Sequence, residues 1–86
     1  RFVSYDVAPG PHPETFAVMG LLPVDGSYRA VIDVYHRHDG RYCYSLQLPQ
    51  GGSGFTFHHN RLYLVNRIAL LAYRLEGNTA CSPAAQ

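Results

Sequence analysis

Short runs of Val, Ile, Leu, Tyr and Phe recur along the chain, separated by Gly, Pro, Asp and Asn about every eight to twelve residues, with no sustained 3.6-residue period. That pattern predicts an all-β fold of antiparallel sheets. Strands are expected over residues 2–8, 15–22, 28–36, 41–48, 54–58, 61–65 and 68–75. The clearest unit is a hairpin over residues 28–48. Val31, Asp33 and Tyr35 fall on one face and Ile32, Val34 and His36 on the other, and Asp39 and Gly40 supply a turn that favours positive φ. Tyr42, Tyr44, Leu46 and Leu48 then alternate with Cys43, Ser45 and Gln47. Three prolines in residues 9–13 remove ladder donors and fix φ, which predicts a loop. The Gly- and Ser-rich stretch 49–54 reads as a connection between two sheet units.

Composition narrows the class. The chain has 86 residues, 47% hydrophobic and 15% charged, which excludes a disordered polyelectrolyte and fits at most one small domain. The formal net charge is +1. The basic residues are Arg1, Arg29, Arg37, Arg41, Arg61, Arg67 and Arg74, spaced singly and without lysine, so no basic run follows a phosphate backbone and no nucleic-acid partner is expected. The longest apolar run, residues 68–73, is far short of the roughly 20 residues of a membrane-spanning helix. Residue 1 is Arg, and no charged segment followed by an apolar one opens the chain. The expectation is a cut through a longer gene product, with a processed end as the alternative.

A shift of 38 positions lays Arg29 on Arg67, Tyr35 on Tyr73 and Cys43 on Cys81, with the turns Asp39-Gly40 and Glu76-Gly77 one residue out of step. Both copies read as strand, turn, strand ending in Tyr, acidic-Gly turn, then a segment containing Cys. A period near 40 residues with about four strands per unit is the spacing of propeller blades.

The stretch from Ile32 to Pro49 (IDVYHRHDGRYCYSLQLP) resembles the third strand, turn and outer strand of a blade in six-bladed β-propellers of the NHL or TolB-like kind. The stretch from Gly54 to Asn66 (GFTFHHNRLYLVN) resembles the innermost and second strands of a following blade, with residues 68–75 as its third. The resemblance covers roughly residues 15–77. It implies a blade-like unit over 15–50 with an extra N-terminal strand over 2–8, a second unit over 51–77 and a tail over 78–86. A ring closes with typically 4–8 blades, so about two blades, the last incomplete, leave the ring open. The partners implied are the remaining blades of the same protein and an unknown ligand or protein. The Pro-rich loop and a long loop over 23–27 depart from a compact blade.

Candidate chemistry is sparse. His36, His38 and Asp39 with His58 and His59 form the one cluster suited to Zn or Cu. A hairpin tip, where exposed polar residues are expected anyway, is the better explanation of the first three, and His58 and His59 should point to opposite faces of a strand. Cys43 and Cys81 allow one disulfide. Equivalent places on neighbouring blades would splay them apart, whereas a stapled small domain would bring them together. Tyr35, Tyr42, Tyr44, Tyr63 and Tyr73 suit either sugar stacking or ordinary packing on a pleated sheet, and packing is the better explanation. Gly51 to Gly54 lacks the strand–turn–helix setting of a nucleophilic serine. Asp33 and Asp39 read as turn chemistry. No catalytic, cofactor-binding or metal-binding residue is assigned. The expectation is an exported or periplasmic propeller piece used as a binding scaffold. The alternatives are part of a propeller hydrolase or sugar dehydrogenase with its catalytic residues in other blades, and a small disulfide-bonded β-sandwich adhesion module.

Overall fold

The computed structural model describes residues 4–81, so Arg1, the expected strand residues Phe2 and Val3, and tail residues 82–86 lie outside the described residues. Among the described residues seven strands form: β1 (Ser4–Pro9), β2 (Thr15–Val24), β3 (Ser27–His36), β4 (Tyr42–Gln47), β5 (Gly54–His58), β6 (Arg61–Val65) and β7 (Leu70–Arg74). They make two antiparallel meanders, β1-β2-β3-β4 and β5-β6-β7, and neither sheet closes on itself. No helix among the described residues is long and apolar enough to cross a membrane.

Alternation of side chains gives each sheet one strongly apolar face. On the first sheet, cross-strand register lines up Ala8, Ala17, Val34 and Tyr44 in one row and Met19, Ile32 and Leu46 in the next. On the second, Phe57, Leu62 and Tyr73 form one row and Phe55, Leu64 and Leu71 another. These rows meet in one hydrophobic core in which Met19, Ile32, Val34, Leu62 and Leu64 are fully buried. Leu48 and Leu75 close its far end. At the near side, β1 runs beside β5, and the Asp6 carboxylate accepts a hydrogen bond of 3.2 Å from the Phe55 amide. That contact satisfies a donor on the edge of β5 that would otherwise be open to pairing.

The expected loop over residues 23–27 is instead a continuation of the β2–β3 ladder, with Pro23 opposite Tyr28 and a two-residue turn at Asp25 and Gly26, both at positive φ. Proline is tolerated there because β1 pairs with β2 only as far as Gly20. In a two-residue hairpin the pair next to the closing one makes no ladder bonds, so position 23 faces an open edge where no donor is needed.

The β3–β4 hairpin is closed by His36 N–H to Arg41 C=O at 2.8 Å, with Gly40 at φ +71° in a four-residue turn. Its register slips between Val34 and Tyr35, so that Val34 faces Tyr44 while Tyr35 faces Tyr42. The two halves related by the 38-residue shift do not use their matched residues alike. Tyr35 lies on the outer face of the first sheet against Phe16, whereas Tyr73 packs on the core.

The connection over 49–54 is pinned, with Ser53 N–H donating to Val65 C=O and Asn66 Nδ2 to Gly51 C=O. A Cβ added at Gly52 would lie 2.5 Å from Leu64 Cδ1 and 2.7 Å from the Val65 carbonyl oxygen. Since one of those atoms is backbone, Gly52→Ala is expected to cost about 1–3 kcal/mol by overpacking. Urea denaturation would check this, and an unchanged midpoint would show that the loop yields freely.

Candidate functional site

A cluster of ionisable side chains sits where the β1–β2 loop meets the β3–β4 turn. The loop is folded on itself: Gly10 N–H donates to Thr15 C=O at 2.9 Å, and Thr15 Oγ1 donates to His12 C=O at 2.7 Å. Arg37 fastens it to the hairpin through its N–H to Glu14 C=O and through its guanidinium to Pro13 C=O. This places Glu14 Oε1 2.7 Å from His38 Nε2, while His36 Nδ1 lies 3.4 Å from Asp39 Oδ1. His36, His38 and Asp39 therefore come together as the sequence suggests, joined by Glu14, whose role only the tertiary fold reveals. Each histidine is paired with a different carboxylate, and no group of three or more His, Cys, Asp or Glu among the described residues is arranged to hold a metal.

The electrostatics follow from these contacts. The hydrogen bond to His38 holds the Glu14 carboxyl below its ordinary value, and the Arg41 amide does the same for Asp39. A carboxyl depressed in the folded state contributes above its unfolded pKa, and that contribution disappears as pH falls through the lower folded value. Replacement His38→Ala is expected to return the Glu14 titration toward the ordinary carboxylate range. Carboxyl NMR titration checks it, and a midpoint unmoved by the substitution would assign the shift elsewhere.

Asp33 differs from the turn role expected of it. It lies in mid-β3, only 6% exposed, opposite Ser45. Ser45 Oγ donates to Asp33 Oδ1 at 2.5 Å and shares a 2.7 Å hydrogen bond with the Tyr42 hydroxyl. Asp39 does serve the turn, accepting from Arg41 N–H at 3.0 Å.

The tyrosines divide among three settings. Tyr35 stacks on Phe16, with ring centroids 5.3 Å apart, and meets Tyr42 edge-on at 5.9 Å. Tyr44 and Tyr73 pack on the core, and burial raises the Tyr44 hydroxyl above its ordinary pKa. Tyr63 lies on the outer face of the second sheet, in a row with Thr56 and Ala72. They do not form one stacking platform. The Gly51–Gly52–Ser53 segment lines an open cleft of about 480 Å³ with Asn66, Arg67 and Ile68, a set that includes no histidine or carboxylate to activate a serine.

Cys43 and Cys81 are bonded, with Cα atoms 5.1 Å apart. After Gly77, at φ +76°, the described part of the tail forms no strand. Thr79 C=O accepts from the Tyr44 hydroxyl at 2.7 Å, and Cys81 reaches Cys43 in β4. The two cysteines therefore do not occupy equivalent strand positions, which is why the splaying expected of neighbouring blades does not separate them. Such a bond fits an oxidising setting, extracellular or periplasmic.

On the other sheet, the β5–β6 turn brings His58 and His59 into contact, with ring centroids 4.1 Å apart. The expectation of opposite faces fails because His59 has left the strand, at φ +55°. Arg61 pairs with His58 on one side and with Arg74 on the other. Spaced singly in sequence, these arginines become neighbours through cross-strand register alone, a signal that a scan for basic runs misses.

No family model matches the chain, and no curated protein or solved structure matches it.

Proposed function

We propose that the chain is a disulfide-closed, two-sheet binding module of an exported protein, presenting ligand-contacting side chains on a rigid scaffold. The observation that carries this reading is the Cys43–Cys81 bond over a core shared by both sheets. It ties the outer edge of β4 to the tail beyond β7, opposite the β1–β5 contact, so both rims of the core are held. A scaffold held at both rims suits surface recognition, because its outer faces keep their shape without support from a ligand. The reading is tested with the oxidised protein on an array of neutral, phosphorylated and sulfated glycans, alongside nitrophenyl ester and glycoside substrates. Saturable retention without turnover is expected. Turnover that co-purifies with the chain would replace this reading with an enzymatic one.

A pair of propeller blades, working as a binding scaffold with further blades, is the second reading. It is favoured by the sequential four- and three-stranded meanders and by the adjacency of β1 and β5, the strands that would be innermost. The coding sequence upstream of Arg1 discriminates. Further strand–turn–strand units of about 40 residues in the same frame would favour blades, and their absence would favour the stapled module.

A further inference from the structure

We propose that the row His58–Arg61–Arg74 on the outer face of the second sheet, together with His59, binds a small phosphate-type oxyanion: inorganic phosphate or the phosphate ester of a small molecule. The site stands on the second sheet alone and holds for either scaffold reading.

Register is the first argument. Arg61 lies directly opposite Arg74 on β7 and His58 on β5. Directly opposed residues of an antiparallel pair have Cβ atoms about 4.5–5.5 Å apart, and like charges there are destabilising. The sequence supplies no internal relief: between Gly54 and Arg74 there are three arginines and two histidines and no carboxylate. The ion pairs of Glu14 and Asp39 lie at the hairpin end of the first sheet, away from Arg61 and Arg74. Glu76, the nearest acid in sequence, lines the groove between β4 and β7, which Arg74 also borders, yet it forms no ion pair with Arg74 or Arg61. An anion seated between the two guanidinium groups removes the repulsion and accepts their paired N–H donors, the geometry in which arginine binds phosphate best.

Shape is the second argument. His58, His59, Asn60, Arg61, Tyr63 and Arg74 surround an open recess of about 340 Å³, large enough for a phosphate group with part of its ester. Its rim is fixed. Asn60 Nδ2 donates to Leu75 C=O at 2.9 Å, and Leu75 N–H donates to Asn60 C=O at 2.9 Å, so the turn and the end of β7 cannot drift apart.

The turn residue is the third. His59 is the first of two residues linking β5 and β6 and has φ +55°, a position for which glycine is the ordinary choice. A histidine there is unfavourable for the backbone, yet it sets a second imidazole against His58 at the mouth of the recess. Strained residues of this sort gather at ligand sites.

The test is titration of the oxidised chain with inorganic phosphate and with glucose 6-phosphate, followed by calorimetry and by amide shifts in NMR. Chloride and acetate serve as controls, and phosphatidylcholine vesicles with and without phosphatidate form a separate arm. Saturable binding of both phosphates is expected, with shifts centred on His58–Arg61 and Arg74. Arg61→Gln and Arg74→Gln should each weaken it by about tenfold or more, and Arg67→Gln, outside the recess, should leave it unchanged. His59→Gly should weaken binding while leaving thermal stability equal or higher, an outcome that a purely structural role for His59 would not give. Absence of saturable binding, equal response to acetate, loss of affinity in Arg67→Gln equal to that in the other variants, or binding to phosphatidate vesicles without binding to free phosphate would each overturn the proposal.

Discussion

Replacing both cysteines, Cys43→Ser with Cys81→Ser, is expected to lower stability by about 3–4 kcal/mol, and reduction of the native chain should do the same. The estimate comes from loop closure: the bond joins residues 38 apart, and a cross-link of that span removes much of the freedom of the unfolded chain. For a domain of this size each 1 kcal/mol moves the thermal midpoint by about 4–8 °C, so a drop of more than about 10 °C is expected. The native state loses something too. Freed from Cys43, the tail no longer holds Thr79 C=O against the Tyr44 hydroxyl, and the groove beside Leu46, Leu48, Leu62 and Leu75 opens to water. A chain of 86 residues buries a smaller fraction of its surface than larger domains do, so it has little reserve against this loss. Denaturant melts with and without reductant measure the effect. Midpoints that coincide would mean that the core alone holds the two sheets, and the case for a stapled module would lose its main support.

How much of this was legible beforehand depends on the range of the interactions. Strands β5 and β6 occupy the residues the alternation predicts, because period-two patterning and the turn between them are local. The β3–β4 hairpin was equally plain, though not its register slip at Tyr35, since alternation on two separate strands does not say which residue is skipped. The loop expected over residues 23–27 is a ladder for a related reason: a strand can run through Pro23 only where one edge is free, and only the pairing of β1 with β2 shows that edge. The sites were less legible than the strands. Glu14 meets His38 across 24 residues, and Arg61 meets Arg74 through β6–β7 register, so neither cluster leaves a motif in the sequence. The disulfide lay between two readings because its geometry depends on where the tail goes after Gly77, and small polar residues carry no strong local preference.

Ile32→Ala and Leu62→Ala are each expected to destabilise the protein by about 2–5 kcal/mol, the usual range for deleting a buried Ile or Leu side chain into a cavity. Both residues are fully buried, Ile32 in the central strand β3 of the first sheet and Leu62 in the central strand β6 of the second. Their neighbours are fixed by strand pairing: Met19 and Leu46 flank Ile32, and Phe57 and Tyr73 flank Leu62. Little collapse into either cavity is therefore available, which favours the upper part of the range. More informative than the size of the loss is its form. Because the two sheets share one core, a cavity in either should lower a single transition that removes both sheets together. Probes placed separately, amide signals of β2 and β3 for the first sheet and of β6 for the second, should then melt at one midpoint in both variants. If the second sheet in Ile32→Ala kept its native midpoint while the first melted early, the sheets would be independent units, as blades relying on other neighbours would be. The core described by Met19, Ile32, Val34, Leu62 and Leu64 would then be a contact between two stable bodies rather than the interaction that folds them.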